Sequence, residues 1–328
     1  QTDLLSVAVS RLAALSALEY DRVREGEAKT LGVRLSTLDR VVAQAHFGAN
    51  KEPPSALVED LEPWPVPVEG ALWLEQIQQL LIRHAVLPEG AASALALWVL
   101  GSYAYDAFRI WPKLCITSPE KRCGKTTLME VLGGLCQRAL VASGISPAAV
   151  FRVIEAWRPT LLIDEADTFL SGNEELRGVI NSVGDDHEPR SFSTWAPMAI
   201  AMIRLPPCTI LDRSLVIRLR RKLPGERVAK LPLDFAEDNL PLRRQALRWA
   251  CDHLESLRGG TPILPASTND RALDNWTPLF ALAEAVGRDW PRRTLEAFHH
   301  LNQADEDEDA VGPMILSDIR RVFVGRGL

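Results

Sequence analysis

Ser118-Pro119-Glu120-Lys121-Arg122-Cys123-Gly124-Lys125-Thr126-Thr127 stands between an apolar run, Leu114-Cys115-Ile116, and a stretch of helical character, Thr127-Leu128-Met129-Glu130-Val131-Leu132. A short buried strand, a loop carrying Gly-Lys-Thr and then a helix is the setting of a phosphate-binding loop. The residue types suit that chemistry. A nucleoside triphosphate takes hydrogen bonds from several converging backbone N–H groups, and a loop that ends where a helix begins supplies them. The donors in this reading run through Arg122, Cys123, Gly124, Lys125, Thr126 and Thr127. Gly124 admits close backbone approach, Lys125 brings a point charge to the β- and γ-phosphates, and the Thr126 hydroxyl is placed to hold Mg²⁺. The usual pattern opens with glycine where this chain has Pro119. Proline fixes φ and offers no N–H, so the entrance to the loop is stiff while the donors that follow are kept.

Gly-Lys-Thr by itself recurs by chance in polar loops. Its complement lies further along, in Thr160-Leu161-Leu162-Ile163-Asp164-Glu165, an apolar strand that ends on two carboxylates in the form of a Walker B element. Alone, such an ending is an ordinary entry into a solvated turn. Following a Gly-Lys-Thr loop in this order, it predicts an ATP and Mg²⁺ site in which Asp164 holds the metal and Glu165 polarises the attacking water.

Bulk properties bound the remaining classes. A chain of 328 residues suits about two domains and a sizeable core. A net charge of −6 argues against a uniformly basic nucleic-acid coat and leaves room for a local basic stripe. The 5 cysteines, Cys115, Cys123, Cys136, Cys208 and Cys251, are scattered without zinc-type spacing, which points to reduced thiols and a cytoplasmic setting. No apolar run reaches the length of a membrane span. The start at Gln1, without methionine, reads as a fragment that an N-terminal domain precedes.

Along the chain, residues 1–50 read as helices, with Ala28 to Leu38 in helix-turn-helix spacing and Arg34, Thr37 and Arg40 toward DNA; a plain helical hairpin has the same spacing. Residues 51–70 hold Pro53, Pro54, Pro63, Pro65 and Pro67 and read as a linker. Residues 71–228 form the expected ATPase core. Two helices, the second from Gly90 to about Phe108, precede a strand-loop-helix-strand-helix-strand alternation, the grammar of an α/β parallel sheet with crossover helices. The strand Met198 to Ile203 should end beside the phosphates, making Arg204 a candidate polar sensor; a solvated loop arginine is the ordinary alternative. Arg213, ahead of the strand Leu215-Val216-Ile217, is a candidate arginine finger acting in trans; pairing with Asp212 is the ordinary alternative. Arg218, Arg220, Arg221 and Lys222 are either a solvated strand end or part of a nucleic-acid track. Residues 229–328 return to helical periodicity and read as an α-helical lid.

With these pieces placed, the chain resembles a bacterial and phage family of P-loop ATPase domains of unknown function, found behind primase-like domains in phage and mobile-element proteins. The resemblance is carried by Ile116 to Thr127, Phe151 to Leu170, Val183 to Pro197, and Asp270-Arg271-Ala272-Leu273-Asp274-Asn275-Trp276. The order of elements is similar, more loosely, to AAA+ and superfamily-three helicases. That resemblance implies a P-loop NTPase (AAA+-like) core that forms a homo-oligomer, a hexameric ring, acts on single-stranded or forked DNA, and works with a primase domain or protein away from any membrane. It also implies that residues 183–192 form a hairpin facing the pore, with His187 and Arg190 near DNA. Two other function classes stay open: a nucleotide-switched loader that remodels a partner without unwinding, and a site-specific DNA-binding initiator.

Overall fold

The computed structural model describes residues 11–12, 23–24, 26–28, 30–31, 60–143, 147–167, 195–266 and 269–302. Two compact units divide the chain, Gln1–Leu57 and Val58–Leu328. The described residues of the first are helical, with Leu12 and Ala28 buried and Arg11 paired to Glu27 at 2.6 Å. Arg34, Thr37 and Arg40, which carry the helix-turn-helix reading, lie outside the described residues.

The second unit is built on a sheet of 5 strands, every pair parallel: β1 (Lys113–Ser118), β2 (Ala139–Ser143), β3 (Thr160–Asp164), β4 (Met198–Ile203) and β5 (Ser214–Arg218), in the spatial order β2-β3-β4-β1-β5. Parallel neighbours cannot be joined by a tight turn, so helices carry the chain between them. Helices α1 (Gly70–His84) and α2 (Ala91–Gly101) precede β1, α3 (Lys125–Leu135) joins β1 to β2, and α4 (Pro147–Trp157) joins β2 to β3. The short α5 (Cys208–Leu211) leads into β5, and α6 (Phe235–Asp238), α7 (Leu240–Gly259), α8 (Asp270–Val286) and helical residues 290–302 follow. From β1 the chain jumps to β2 at the sheet's edge and works back through β3 to β4, which lies against β1. The reversal opens a crevice at the carboxyl ends of the central strands, where ligands of such sheets bind.

Because side chains alternate along a strand, the sheet has two cores. Leu114, Ile116, Leu162, Ala199, Ala201, Leu215 and Ile217 face a large cluster shared with α1, α2, α3, α7 and α8. Leu161, Ile163, Met198, Ile200 and Met202 face the other side, toward Val150 and Ile154 of α4 and Ile210 of α5. Both faces being covered explains why the strands read as continuous apolar runs with no polar alternation.

Within the helical layer, two buried indoles find carbonyls: Trp98 Nε1 donates to Pro112 O at 2.9 Å and Trp73 Nε1 to Leu242 O at 2.9 Å. The helix expected to run to about Phe108 ends at Gly101, and a 3₁₀ turn, Tyr105–Ala107, follows. The last helical position has to be glycine, because a Cβ at 101 would overlap the ring of Trp111 and approach Leu282 Cδ1 at 2.8 Å. Gly101→Ala is therefore expected to destabilise the fold by about 1–3 kcal/mol, as overpacking does. A denaturant midpoint equal to wild type would disprove that packing account. Residues 60–69 form no helix or strand, and part of them is tied to α7, with Trp64 N donating to Arg244 O at 3.0 Å and Arg244 Nε to Glu62 O at 2.9 Å.

Candidate functional site

The loop at the end of β1 is held by its own side chains. The Glu120 carbonyl accepts from Ser118 Oγ at 2.7 Å, from the Cys123 thiol at 3.4 Å and from Lys125 Nζ at 3.4 Å. Lys125 Nζ also donates to Ser118 Oγ at 2.5 Å. Arg122 and Gly124 both adopt positive φ, 66° and 87°, which turns the chain into α3. No side chain caps α3, and its first turn is closed by Leu128 N donating to the carbonyl of the N-cap residue Gly124 at 2.9 Å. The N–H groups of Lys125, Thr126 and Thr127 precede that bond, the position from which a helix N-terminus addresses an anion.

Two strands away, β3 ends at Asp164. Its carboxylate accepts from Glu165 N at 2.8 Å, and Glu165 sits at φ 53° with an exposed side chain. The next residue but one, Asp167, accepts from Ile203 N at 2.7 Å and so ties the turn to the end of β4. Between them, Arg204 at the end of β4 has φ 67°, donates its N–H to Ser118 O at 3.0 Å and accepts from Thr117 Oγ1 through its carbonyl. Arg122, Glu165 and Arg204 are non-glycine residues in the left-handed region, and all three lie at the carboxyl edge of the sheet. Arg138, Arg158 and Arg288 share that region away from this edge, so positive φ shapes these turns without marking the site by itself. With β4 alone between β1 and β3, the ends that carry Lys125 and Asp164 are roughly 10 Å apart, two strand spacings. A triphosphate and one divalent ion span such a gap.

A cleft of about 470 Å³ opens beside the loop. Arg122, Gly124 and Thr127 line one part of it, and Val86, Val228 and Leu231 give it apolar wall. Four cations, Arg122, Arg220, Lys222 and Lys230, line it against one carboxylate, Glu130. Its far wall is seated by Ala229, whose N–H donates to Arg83 O at 2.7 Å and whose carbonyl accepts from His84 Nδ1 at 3.0 Å. The His84 ring in turn stands edge-on to Phe235 at 5.5 Å. The volume falls in the range of small-molecule sites, and the cationic lining suits an anionic ligand.

Arg213 is placed elsewhere. It precedes β5, its carbonyl accepting from Lys113 N at 3.0 Å, and so lies at the amino edge of the sheet. The neighbouring Asp212 carbonyl accepts from Asn275 Nδ2 of α8 at 3.0 Å. The length of β5, about 16 Å, separates Arg213 from the edge that carries Lys125. His187 and Arg190, with the whole hairpin expected over residues 183–192, lie outside the described residues.

Three features escaped the sequence reading: Asp167 as a backbone anchor, the wall built by residues 84–86, and the second wall from 228 to 231. Asp167 was visible as a further carboxylate after Asp164-Glu165. The walls carry no motif, because they are made by chain segments that meet only in space. Buried thiol Cys136 is pushed up to about 12 by burial, so it offers no nucleophile at neutral pH. No helix among the described residues is long and apolar enough to cross a membrane.

The profile of a family described as a protein of unknown function (DUF3631) matches residues 218–327. An uncharacterized 28.9 kDa protein in the xis 5′ region of Saccharopolyspora erythraea is 34 % identical over 110 residues, 32 % of this chain and 40 % of that protein. The crystal structure of a full-length MCM homolog from Methanopyrus kandleri aligns with a TM-score of 0.45 at 12 % identity, covering 75 % of this chain and 62 % of that one. The chain thus spans less than two thirds of either relative.

Proposed function

We propose that this chain is an ATP-hydrolysing motor domain that uses Mg²⁺. The observation that supports it is the convergence of the Lys125 loop and the Asp164-Glu165 turn on the carboxyl edge of one parallel sheet, next to a basic cleft. The residues present fit the ligands. Gly124 has no atom within 4 Å of where a Cβ would stand, leaving the loop open to a phosphate, and the donors are backbone N–H groups and a lysine. Thr126 and Asp164 are the oxygen donors suited to the hard cation, which when bound neutralises charge between the β- and γ-phosphates.

In this reading Lys125 exchanges Ser118 Oγ for phosphate oxygen, and the N–H groups of Arg122, Cys123 and Gly124 through Thr127 orient the chain of phosphates. The cleft bounded by Val86, Val228 and Leu231 takes the base. Glu165 accepts the proton of the attacking water, and Arg204 senses the γ-phosphate. Arg213, at the opposite edge, reaches the site of a second copy of the chain, so catalysis belongs to a homo-oligomer, the proposed hexamer. The helices α6–α8, with those beyond, serve as the lid over the nucleotide. DNA, single-stranded or forked, is the track, with His187 and Arg190 as the residues that touch it, and a primase domain or protein is the companion in replication of a phage or mobile element.

Gly124→Ala tests the loop. At φ 87° an alanine pays about 1 kcal/mol for the left-handed conformation, and nothing crowds its methyl, so the fold survives. ATP affinity, read by equilibrium titration with Mg²⁺ present, is expected to fall by about tenfold or more for each phosphate contact displaced. Undiminished binding in a folded variant removes the loop from the site. Strand displacement on a forked duplex then separates a translocating motor from a loader, which hydrolyses ATP and leaves the fork paired.

A further inference from the structure

Beyond β5 the chain does not enter the helices at once. It runs from Leu219 to Leu231 as a strap along the edge that carries the loop. At one end Leu219 N donates to Thr117 O at 2.7 Å; at the other Ala229 is fastened to Arg83 and His84 of α1. Arg221 pairs with Glu120 of the phosphate loop at 3.3 Å. Midway, Leu223-Pro224-Gly225-Glu226 forms a turn closed by Glu226 N to Leu223 O at 3.1 Å, with Gly225 at φ 98°. A glycine with positive φ after proline is the signature of a type II turn, and it folds the strap back on itself.

That turn returns Glu226 toward Arg220. The guanidinium grips the carboxylate with two bonds, Nη1 to Oε2 at 2.8 Å and Nη2 to Oε1 at 2.6 Å, and Oε2 also accepts from Leu223 N at 2.6 Å. The two partners line different clefts. Arg220 lines the basic cleft together with Arg122, Gly124 and Thr127, whereas Glu226 lines a second, adjoining cleft of about 450 Å³, with Ile82, Leu87 and Ser93. Val228 belongs to both. Carboxylate and phosphate both match the planar fork of an arginine, so they compete for it.

We infer that Arg220 is a nucleotide-binding residue held in reserve by Glu226: it trades that carboxylate for a phosphate of the bound nucleotide, and the exchange unlatches the strap. This rests on the nucleotide reading above and adds to it a residue, a competitor and a moving part. The Arg220 guanidinium and, after it, the Leu223 N–H hold the Glu226 carboxyl at about 2, so the competitor stays charged at every pH at which the protein works. Releasing Glu226 frees Leu223 N and loosens the wall between the two clefts, which is how occupation of the basic cleft reaches the adjoining one.

The signs of two substitutions decide the matter. Arg220→Ala removes a phosphate partner and is expected to raise the dissociation constant of a fluorescent ATP analogue, with Mg²⁺, by about tenfold or more. Glu226→Gln removes the competitor, raises the fraction of chains with Arg220 available, and tightens the same analogue several-fold. A pair that is only structural is lost in both variants, and both then shift in one direction. Hydrogen exchange on the full wild-type chain supplies the second reading. On adding the analogue, amides 122–127 gain protection while the Leu223 amide loses it. Shifts of the same sign, or Leu223 protection unchanged while amides 122–127 become protected, overturn the latch and leave the nucleotide site standing. Absence of protection at 122–127 overturns the nucleotide reading and the latch with it.

Discussion

Arg213→Ala is expected to lower ATP turnover by about 10³–10⁵-fold while leaving ATP bound, the effect of removing a guanidinium that reaches the γ-phosphate of a neighbouring copy. The direction of β5 makes this a question about assembly. Arg213 stands at the amino edge of the sheet and Lys125 at the carboxyl edge, so the two cannot serve one nucleotide within a single chain. The proposed role therefore predicts complementation. Lys125→Ala and Arg213→Ala chains, each inactive alone, regain activity when mixed, because about a quarter of head-to-tail interfaces then join an intact Lys125 to an intact Arg213. Mixtures as inactive as the separate variants would return Arg213 to its ordinary alternative, an intramolecular partner such as Asp212.

Glu165→Gln is expected to retain the nucleotide and lower hydrolysis by about 10²–10⁴-fold, the worth of a positioned general base. Glutamine has the same shape and the same access to φ 53°, and the side chain at this position is exposed, so the turn that holds Asp164 is preserved. The substitution removes a proton acceptor while keeping the length and shape of the side chain. Single-turnover hydrolysis at saturating ATP reads the chemical step directly; an undiminished rate would take Glu165 out of the reaction.

The parts of the site that were legible beforehand share a property. Ser118 to Thr127 and Thr160 to Glu165 are strand ends, where an apolar run and the polar residues that follow it are contiguous, so residue order reports position in space. The same logic made the buried strands β1, β3 and β4 readable and placed Arg204 beyond the last of them. What stayed hidden is assembled across the chain. The cleft needs Val86 from the end of α1, Gly124 from the loop and Val228 from the strap, and no local pattern links them. Arg220 appeared only as a member of a basic cluster, because the bond that gives it meaning depends on a turn at Pro224-Gly225 and a carboxylate beyond it. The end of α2 was misjudged because no proline marks it: Ser102 keeps helical backbone at φ −58° and a 3₁₀ turn follows within the same apolar stretch.

An all-parallel sheet points every crossover helix the same way. Both α3 and α4 begin at the carboxyl edge, so the peptide dipoles of each add up there to roughly half a positive charge. A chain whose side chains sum to −6 thus keeps a positive rim built from its backbone. Salt can screen that rim, and no exchange of lysine or arginine can delete it.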